Sequence, residues 1–92
     1  MMLNIALDYD GTYTRDPDFW KSFVQKAKES GHKVFCVTKR TPEEVICEKL
    51  VNIVDGIFYM SRANKINVSQ QIDIWIDNNP FDITGYPVGG MI

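Results

Sequence analysis

Two aspartates separated by a single residue are the feature of this sequence most suited to chemistry. Asp8 and Asp10 directly follow the apolar segment 5–7 and precede Gly11 and Thr12. Carboxylates at that spacing repel each other unless a metal ion or a lysine lies between them. Without such a cation, the pair would be a solvated turn at the end of a strand, where Asp and Gly are common.

Other polar side chains follow predicted strands in the same way. Thr38 ends the segment KVFCVT, and Asp77 ends IDIWID just before Asn78 and Asn79. Lys65 lies between the third and fourth predicted strands. Because ligands bind at the carboxyl ends of the strands in open α/β sheets, we expect these groups to meet at one rim.

Gathered at one rim, these groups suit phosphoryl transfer. Asp8 could attack phosphorus and form an aspartyl-phosphate, which divides one difficult step into two. A phosphate monoester is dianionic, so we expect Mg²⁺, held by Asp8 and Asp77, to screen its approach. Asp10 is placed to protonate the leaving alkoxide and then to activate water. Thr38 and Lys65 can bind the phosphoryl oxygens.

Alternating apolar and amphipathic segments predict the elements that position these residues. Four apolar segments predict strands, at 3–7, 33–38, 56–60 and 72–77. The segments between them predict helices over 16–31, 41–50 and, more weakly, 61–71. This alternation predicts an α/β fold with a mostly parallel sheet of about four strands, wound with right-handed crossovers.

The first two predicted helices carry end signals. Asp16 is the expected N-cap of the first helix, with Pro17 in its first turn and Gly31 beyond its end. Thr41 and Glu44 predict a capping box for the second helix. Its buried face is expected to consist of Val45, Ile46 and Leu50.

Length and charge limit the classes of protein to consider. The 92 residues predict one domain over 1–92, with a core over 3–80 and a loop-like tail over 81–92. The tail is expected to make an apolar contact through Ile83 and Tyr86. A net charge of −2 gives no reason to expect a nucleic-acid or membrane surface. Exposed sheet edges make a homodimer a further expectation.

The cysteines and the single histidine predict neither disulfides nor zinc. Cys36 lies in an apolar strand segment and Cys47 in a predicted helix, while His32 has no histidine partner. The chain shows no basic leader and no apolar run of the roughly 18 residues that a membrane span needs. We therefore expect a reduced, cytoplasmic protein.

Four segments together resemble the motifs of the haloacid dehalogenase-like phosphohydrolase superfamily. They are LDYDGT, Thr38 after a strand, a lysine opening the third helix, and IWIDNNP, within residues 5–80. The resemblance implies a Rossmann-like three-layer sandwich, with Asp8 as nucleophile and Asp10 as general acid and base. It implies Mg²⁺ held by the Asp8 side chain, the Asp10 backbone carbonyl and Asp77. The expected phosphate-binding residues are Gly11, Thr38, Lys39 and Lys65.

The sequence also departs from the family's pattern. The fourth motif often carries a second acid, but Asn78 and Asn79 stand here; both are candidates to orient Asp77, and Asp82 could replace the missing acid. Segments 12–16 and 51–56 are too short for the family's mobile caps. We therefore expect a capless site that is open to solvent. Asp10, which the haloacid-cleaving branch lacks, favours a phosphatase over a dehalogenase.

Several alternatives remain open at the level of sequence. Arg62 rivals Lys65 for the phosphate-binding role. A phosphate- or phosphoprotein-binding module with little turnover would keep the pocket, and Asn78 and the missing cap favour it. A nucleic-acid end-processing phosphatase would suit an open site, although the net charge does not support it.

Overall fold

Four strands form the sheet of the computed structural model, which describes residues 1–85. They are β1 (Asn4–Leu7), β2 (Lys33–Thr38), β3 (Gly56–Tyr59) and β4 (Ile74–Ile76). All neighbouring strands are parallel, in the order β3-β2-β1-β4. Because β1 and β2 are central, the residues that follow them lie in the middle of the carboxyl rim.

Helical segments connect the strands within the described residues. The α-helices are α1 (Pro17–Glu29), α2 (Glu48–Val51) and α3 (Phe81–Thr84). Two further segments, Tyr13–Arg15 and Lys65–Gln71, are 3₁₀-helical. Within residues 1–85, no helix has both the length and the apolar character needed to cross a membrane.

Alternate residues of the central strands face two separate apolar clusters. Ile5 and Leu7 pack with α1 on one face of the sheet. Ala6 and Val37 pack on the other face, against the 3₁₀ segment at Val68. Since both faces are covered, the central strands are almost entirely apolar, as buried parallel strands usually are. The predicted α/β fold with four parallel strands is confirmed, and it is compatible with a Rossmann-like architecture.

Helix α1 begins as predicted. The Asp16 side chain accepts a hydrogen bond from the Phe19 amide at 3.4 Å, and Pro17 is the first helical residue. Gly31 follows the helix with φ of +91°, a conformation that glycine adopts without steric cost. Val24 and Ala27 are buried, so the inner face of α1 contributes to the first apolar cluster.

The predicted helix over 41–50 is wrong for most of its length. Only the single turn α2 forms, although the Thr41 amide donates to Glu44 Oε1 at 2.9 Å, as in half of a capping box. Side chains take the peptide groups that a helix would use. Arg40 Nη1 donates to the Val45 carbonyl at 2.7 Å, and the Cys47 amide donates to Tyr9 Oη at 3.0 Å. Val45, predicted to be buried, is 83% exposed.

Three later predictions also need correction. The predicted α-helix over 61–71 is a 3₁₀ segment that begins only at Lys65, because Ser61 and Arg62 have φ of +51° and +72°. The start of the predicted tail is helical, since α3 forms before Gly85. Of the predicted tail contacts, Tyr86 lies outside the described residues. β4 is shorter than the predicted 72–77.

Candidate functional site

A buried cluster of three charged side chains lies at the carboxyl rim. Lys65 Nζ is 2.6 Å from Asp8 Oδ1 and 2.6 Å from Asp77 Oδ2. The side chains of Lys65, Asp8 and Asp77 are 1%, 6% and 2% exposed. The cation expected between two carboxylates is thus a lysine, although it joins Asp8 to Asp77 and not to Asp10.

The parallel sheet brings these three residues together. Asp8 follows the central strand β1, and its amide donates to the Ile76 carbonyl of β4 at 2.9 Å. Asp77 follows that carbonyl directly, and its Oδ1 accepts a hydrogen bond from the Asn79 amide at 2.9 Å. Lys65 is the first residue of its 3₁₀ segment, so its side chain enters from the β3–β4 connection.

Burial and charge shift the pKa values of this cluster. Burial raises the pKa of Asp8; the hydrogen bond from Lys65 opposes the shift, and repulsion from Asp77 adds to it. Burial disfavours the charged form of Lys65, but its hydrogen bonds to Asp77 and Asp8 outweigh this effect and raise its pKa. Both directions reflect a cluster in which two carboxylates share one ammonium group away from water.

Thr12 and Asn78 surround the second oxygen of the Asp8 carboxylate. Thr12 Oγ1 donates to Asp8 Oδ2 at 3.0 Å and accepts from the Asn78 backbone amide at 3.2 Å. In the orientation that satisfies its hydrogen bonds, the Asn78 side-chain nitrogen lies 2.8 Å from Asp8 Oδ2 and 3.3 Å from the Asp10 carbonyl oxygen. Asn78 thus contacts two oxygens that the family resemblance assigns to Mg²⁺.

Gly11 allows this close approach of Asn78. Its φ is +84°, and a Cβ atom built there would lie 2.6 Å from the Asn78 side-chain amide. A larger residue here would be strained by the backbone conformation and would push the Asn78 amide aside.

The oxygens around Asn78 are of the kind that bind a hard cation. Residues 1–85 contain no group of three or more His, Cys, Asp or Glu side chains placed to hold a metal ion. The carboxylates of Asp8 and Asp77, the two acids of the predicted metal site, both contact Lys65. A carboxylate, a carbonyl and an amide oxygen, from Asp8, Asp10 and a rotated Asn78 side chain, form a donor set of the type that Mg²⁺ accepts with waters.

Asp10 lies outside the buried cluster. Arg40 Nε donates to Asp10 Oδ2 at 2.8 Å and Arg40 Nη2 to Asp10 Oδ1 at 2.7 Å, a bidentate pair. Their side chains are 55% (Asp10) and 27% (Arg40) exposed. The hydrogen bonds from Arg40 lower the pKa of Asp10. The carboxylate of the predicted general acid is therefore held by a residue that the sequence analysis did not place in the site.

The remaining predicted residues lie on the same rim but differ in their contacts. Thr38 is buried at the end of β2, and its Oγ1 accepts from the Arg40 amide at 3.2 Å. Lys39 Nζ lies 3.8 Å from Asp82, which places Asp82 beside Lys39. Arg62, the rival to Lys65, donates instead to Glu44 at 2.9 Å.

Sequence reasoning assigned no role to Arg40 or Thr12. Both follow predicted site residues by two positions: Arg40 follows Thr38, and Thr12 follows Asp10. The only signal for these two side chains was their position after the end of a strand, and it did not distinguish them from ordinary turn residues.

A comparison of the chain with protein-family models, curated proteins and solved structures finds no match.

Proposed function

We propose that this protein is a Mg²⁺-dependent phosphohydrolase that cleaves a phosphate monoester through an aspartyl-phosphate intermediate. The observation that carries the proposal is the contact of both Asp8 oxygens: Oδ1 with Lys65 and Oδ2 with Thr12 and Asn78. This fixes a carboxylate at the centre of the rim, where a nucleophile needs a constant position. The superfamily resemblance of the sequence supports the same reaction.

The residues of the chain divide the chemistry as follows. Asp8 attacks phosphorus and is later released by water. Lys65 lowers the repulsion between Asp8 and the incoming anion. The buried Thr38 hydroxyl accepts from Arg40, and its own proton is available to a phosphoryl oxygen. Asp10 protonates the leaving oxygen and then accepts a proton from the attacking water.

Asp8, the Asp10 carbonyl and Asn78 would hold Mg²⁺, which would screen the negative charge of the phosphoryl group when bound. Asn78 supplies a neutral amide where an acid is common, so we expect weak binding of the cation. The site also borders a cavity of about 340 Å³ that Arg15, Trp20 and Asn78 help to line. That cavity has room for part of a substrate beyond the phosphate.

One observation favours a second candidate, a phosphate-binding module with little turnover. Arg40 donates a hydrogen bond to each oxygen of Asp10 and favours its ionised form, which has no proton to give to a leaving group. A binding module would need the oxyanion site but not a free Asp10.

Hydrolysis of p-nitrophenyl phosphate tests the proposal. We expect turnover with Mg²⁺ that is lost with EDTA and falls at least about 10³-fold in Asp8→Asn, which removes the nucleophile. Asp18→Asn, at an exposed position in the first turn of α1, is the matched control and should retain activity. Mg²⁺-dependent retention of beryllofluoride without turnover would support the binding module. The absence of both turnover and beryllofluoride retention would contradict both candidates.

A further inference from the structure

Arg40 is a charged residue of the rim whose placement the proposed reaction does not yet explain. Its guanidinium makes three hydrogen bonds, two to Asp10 and one from Nη1 to the Val45 carbonyl at 2.7 Å. Its Cζ also lies 4.9 Å from the centre of the Tyr9 ring. Two donors of the planar fork are thus directed at one carboxylate, a geometry that serves phosphate equally well.

The Arg40 fork is positioned by contacts that do not involve Asp10. The Val45 carbonyl fixes one end of the guanidinium, and its Cζ lies over the Tyr9 ring. Tyr9 is itself buried and stacks on Tyr13 with ring centres 5.7 Å apart. The Arg40 amide is also bound to Thr38 Oγ1. The fork would therefore keep its position if the Asp10 carboxylate moved away.

The two ion-paired groups of the rim do not by themselves attract an anionic substrate. Three carboxylates, those of Asp8, Asp10 and Asp77, face two cations, Lys65 and Arg40, which leaves a net charge of −1. Two of the three N–H donors of Lys65 are directed at the two buried carboxylates. The Asp10–Arg40 pair is more exposed, so solvent screens it and exchange of its anion costs less.

We infer that Arg40 is an exchangeable oxyanion-binding residue: its Nε–H and Nη2–H donors hold Asp10 in the free protein and bind two phosphoryl oxygens of the substrate. This inference rests on the proposed function and adds a specific step to it. Binding of the phosphate releases the Asp10 carboxylate, which can then take a proton from water and pass it to the leaving oxygen. The same exchange accounts for a general acid that is occupied before substrate arrives.

Binding of inorganic phosphate with Mg²⁺, measured by calorimetry, tests the Arg40 fork without turnover. Arg40→Lys keeps the charge and removes the fork, so we expect about tenfold weaker phosphate binding. Arg62→Lys is the matched control, because Arg62 also pairs with a carboxylate, that of Glu44, and should leave the affinity unchanged. Equal affinity of Arg40→Lys and the wild type, or no phosphate binding by the wild type, would overturn the inference.

Competition between Asp10 and phosphate is tested by a double-mutant cycle. Asp10→Asn removes the competing carboxylate, so phosphate should bind about tenfold more tightly when Arg40 is present. In the Arg40→Lys background, Asp10→Asn should increase the phosphate affinity only as much as Glu44→Gln does. Glu44→Gln removes a nearby charge but does not free Arg40. A gain that is the same in both backgrounds would show general electrostatics and overturn the exchange. If Arg40→Lys fails to fold, the phosphate affinities of Asp10→Asn and Glu44→Gln still test the exchange. Equal gains in the two variants would overturn it.

These outcomes separate the inference from the proposed function. Phosphate binding that depends on Arg40, in a protein without turnover, would support the exchange and contradict the phosphohydrolase. Turnover with phosphate binding that does not depend on Arg40 would support the reaction and overturn the exchange.

Discussion

Two ion-paired groups lie at the same rim of the sheet, one almost fully buried and the other partly exposed. In the buried group, Lys65 contacts Asp8 and Asp77 at 2.6 Å. In the exposed group, Arg40 binds Asp10 with two hydrogen bonds of similar length. Removing one partner of a buried pair leaves an unpaired charge away from water, whereas solvent replaces a lost partner at the surface. Although the hydrogen-bond distances in the two groups are similar, removal of a partner should cost more stability in the buried group than in the exposed one.

This difference suggests a division of roles. The buried group fixes the position of Asp8, because movement of any member would leave a charge unpaired in the interior. The exposed group can exchange its partners at low cost. A site that needs one fixed carboxylate and one movable carboxylate would place them in these two environments.

The largest expected effect concerns the buried group. Lys65→Met keeps the length of the side chain but leaves Asp8 and Asp77 without a cation. We expect the free energy of unfolding to fall by about 3–5 kcal/mol, measured by urea denaturation. The loss should be smaller at pH 5 than at pH 8, because Asp8, whose pKa is raised by burial, binds a proton more readily in the folded than in the unfolded state.

Lys39→Met is the matched control for Lys65→Met. Lys39 lies 3.8 Å from Asp82 and both side chains are partly exposed, so the change should cost less than about 1 kcal/mol. If the two variants were equally stable, the buried group would not hold the rim together and the comparison would fail.

The next effect concerns the loop that joins the two groups. Gly11 and Gly31 both have positive φ, but a Cβ atom at Gly11 would meet Asn78 at 2.6 Å, whereas one at Gly31 meets nothing within 4 Å. We expect Gly31→Ala to cost about 1 kcal/mol from backbone conformation alone. Gly11→Ala should cost about 2–3 kcal/mol, because overpacking adds to the strain. Equal decreases in melting temperature for Gly11→Ala and Gly31→Ala would show that Asn78 moves aside without cost.

A smaller effect is expected from the charge at position 78. Asn78→Asp places a carboxylate beside Asp8 Oδ2 and the Asp10 carbonyl, so Mg²⁺ affinity should rise by about tenfold in calorimetry. Without Mg²⁺ the variant should be less stable than the wild type, since a further carboxylate repels Asp8. Asn79→Asp is the control, because Asn79 contacts Asp77 through its backbone amide. Equal Mg²⁺ affinity of the two variants would exclude Asn78 as a ligand position.

The sequence predicted the fold where the decisive interactions are local. Apolar strand segments and the Asp16 cap depend on neighbouring residues, and they predicted β1, β2 and the start of α1. The segment 41–47 failed because Arg40 and Tyr9 bind its peptide groups, and such contacts depend on tertiary structure. The rim positions of Asp8, Thr38 and Asp77 follow from the strand order. The pairing of Asp10 with Arg40 does not, because it depends on the direction of two long side chains.

The smallest expected effect on stability concerns the exposed group, and it tests the comparison most directly. Asp10→Asn removes the charge that Arg40 binds, but water can solvate the guanidinium. The free energy of unfolding should therefore change by less than about 1 kcal/mol. Hydrolysis of an alkyl phosphate, whose leaving oxygen needs a proton, should nevertheless fall about 10²–10⁴-fold. A loss of stability as large as that of Lys65→Met would make the Arg40 pair structural. In that case an exchange of Arg40 between Asp10 and phosphate would be too costly to occur in each turnover.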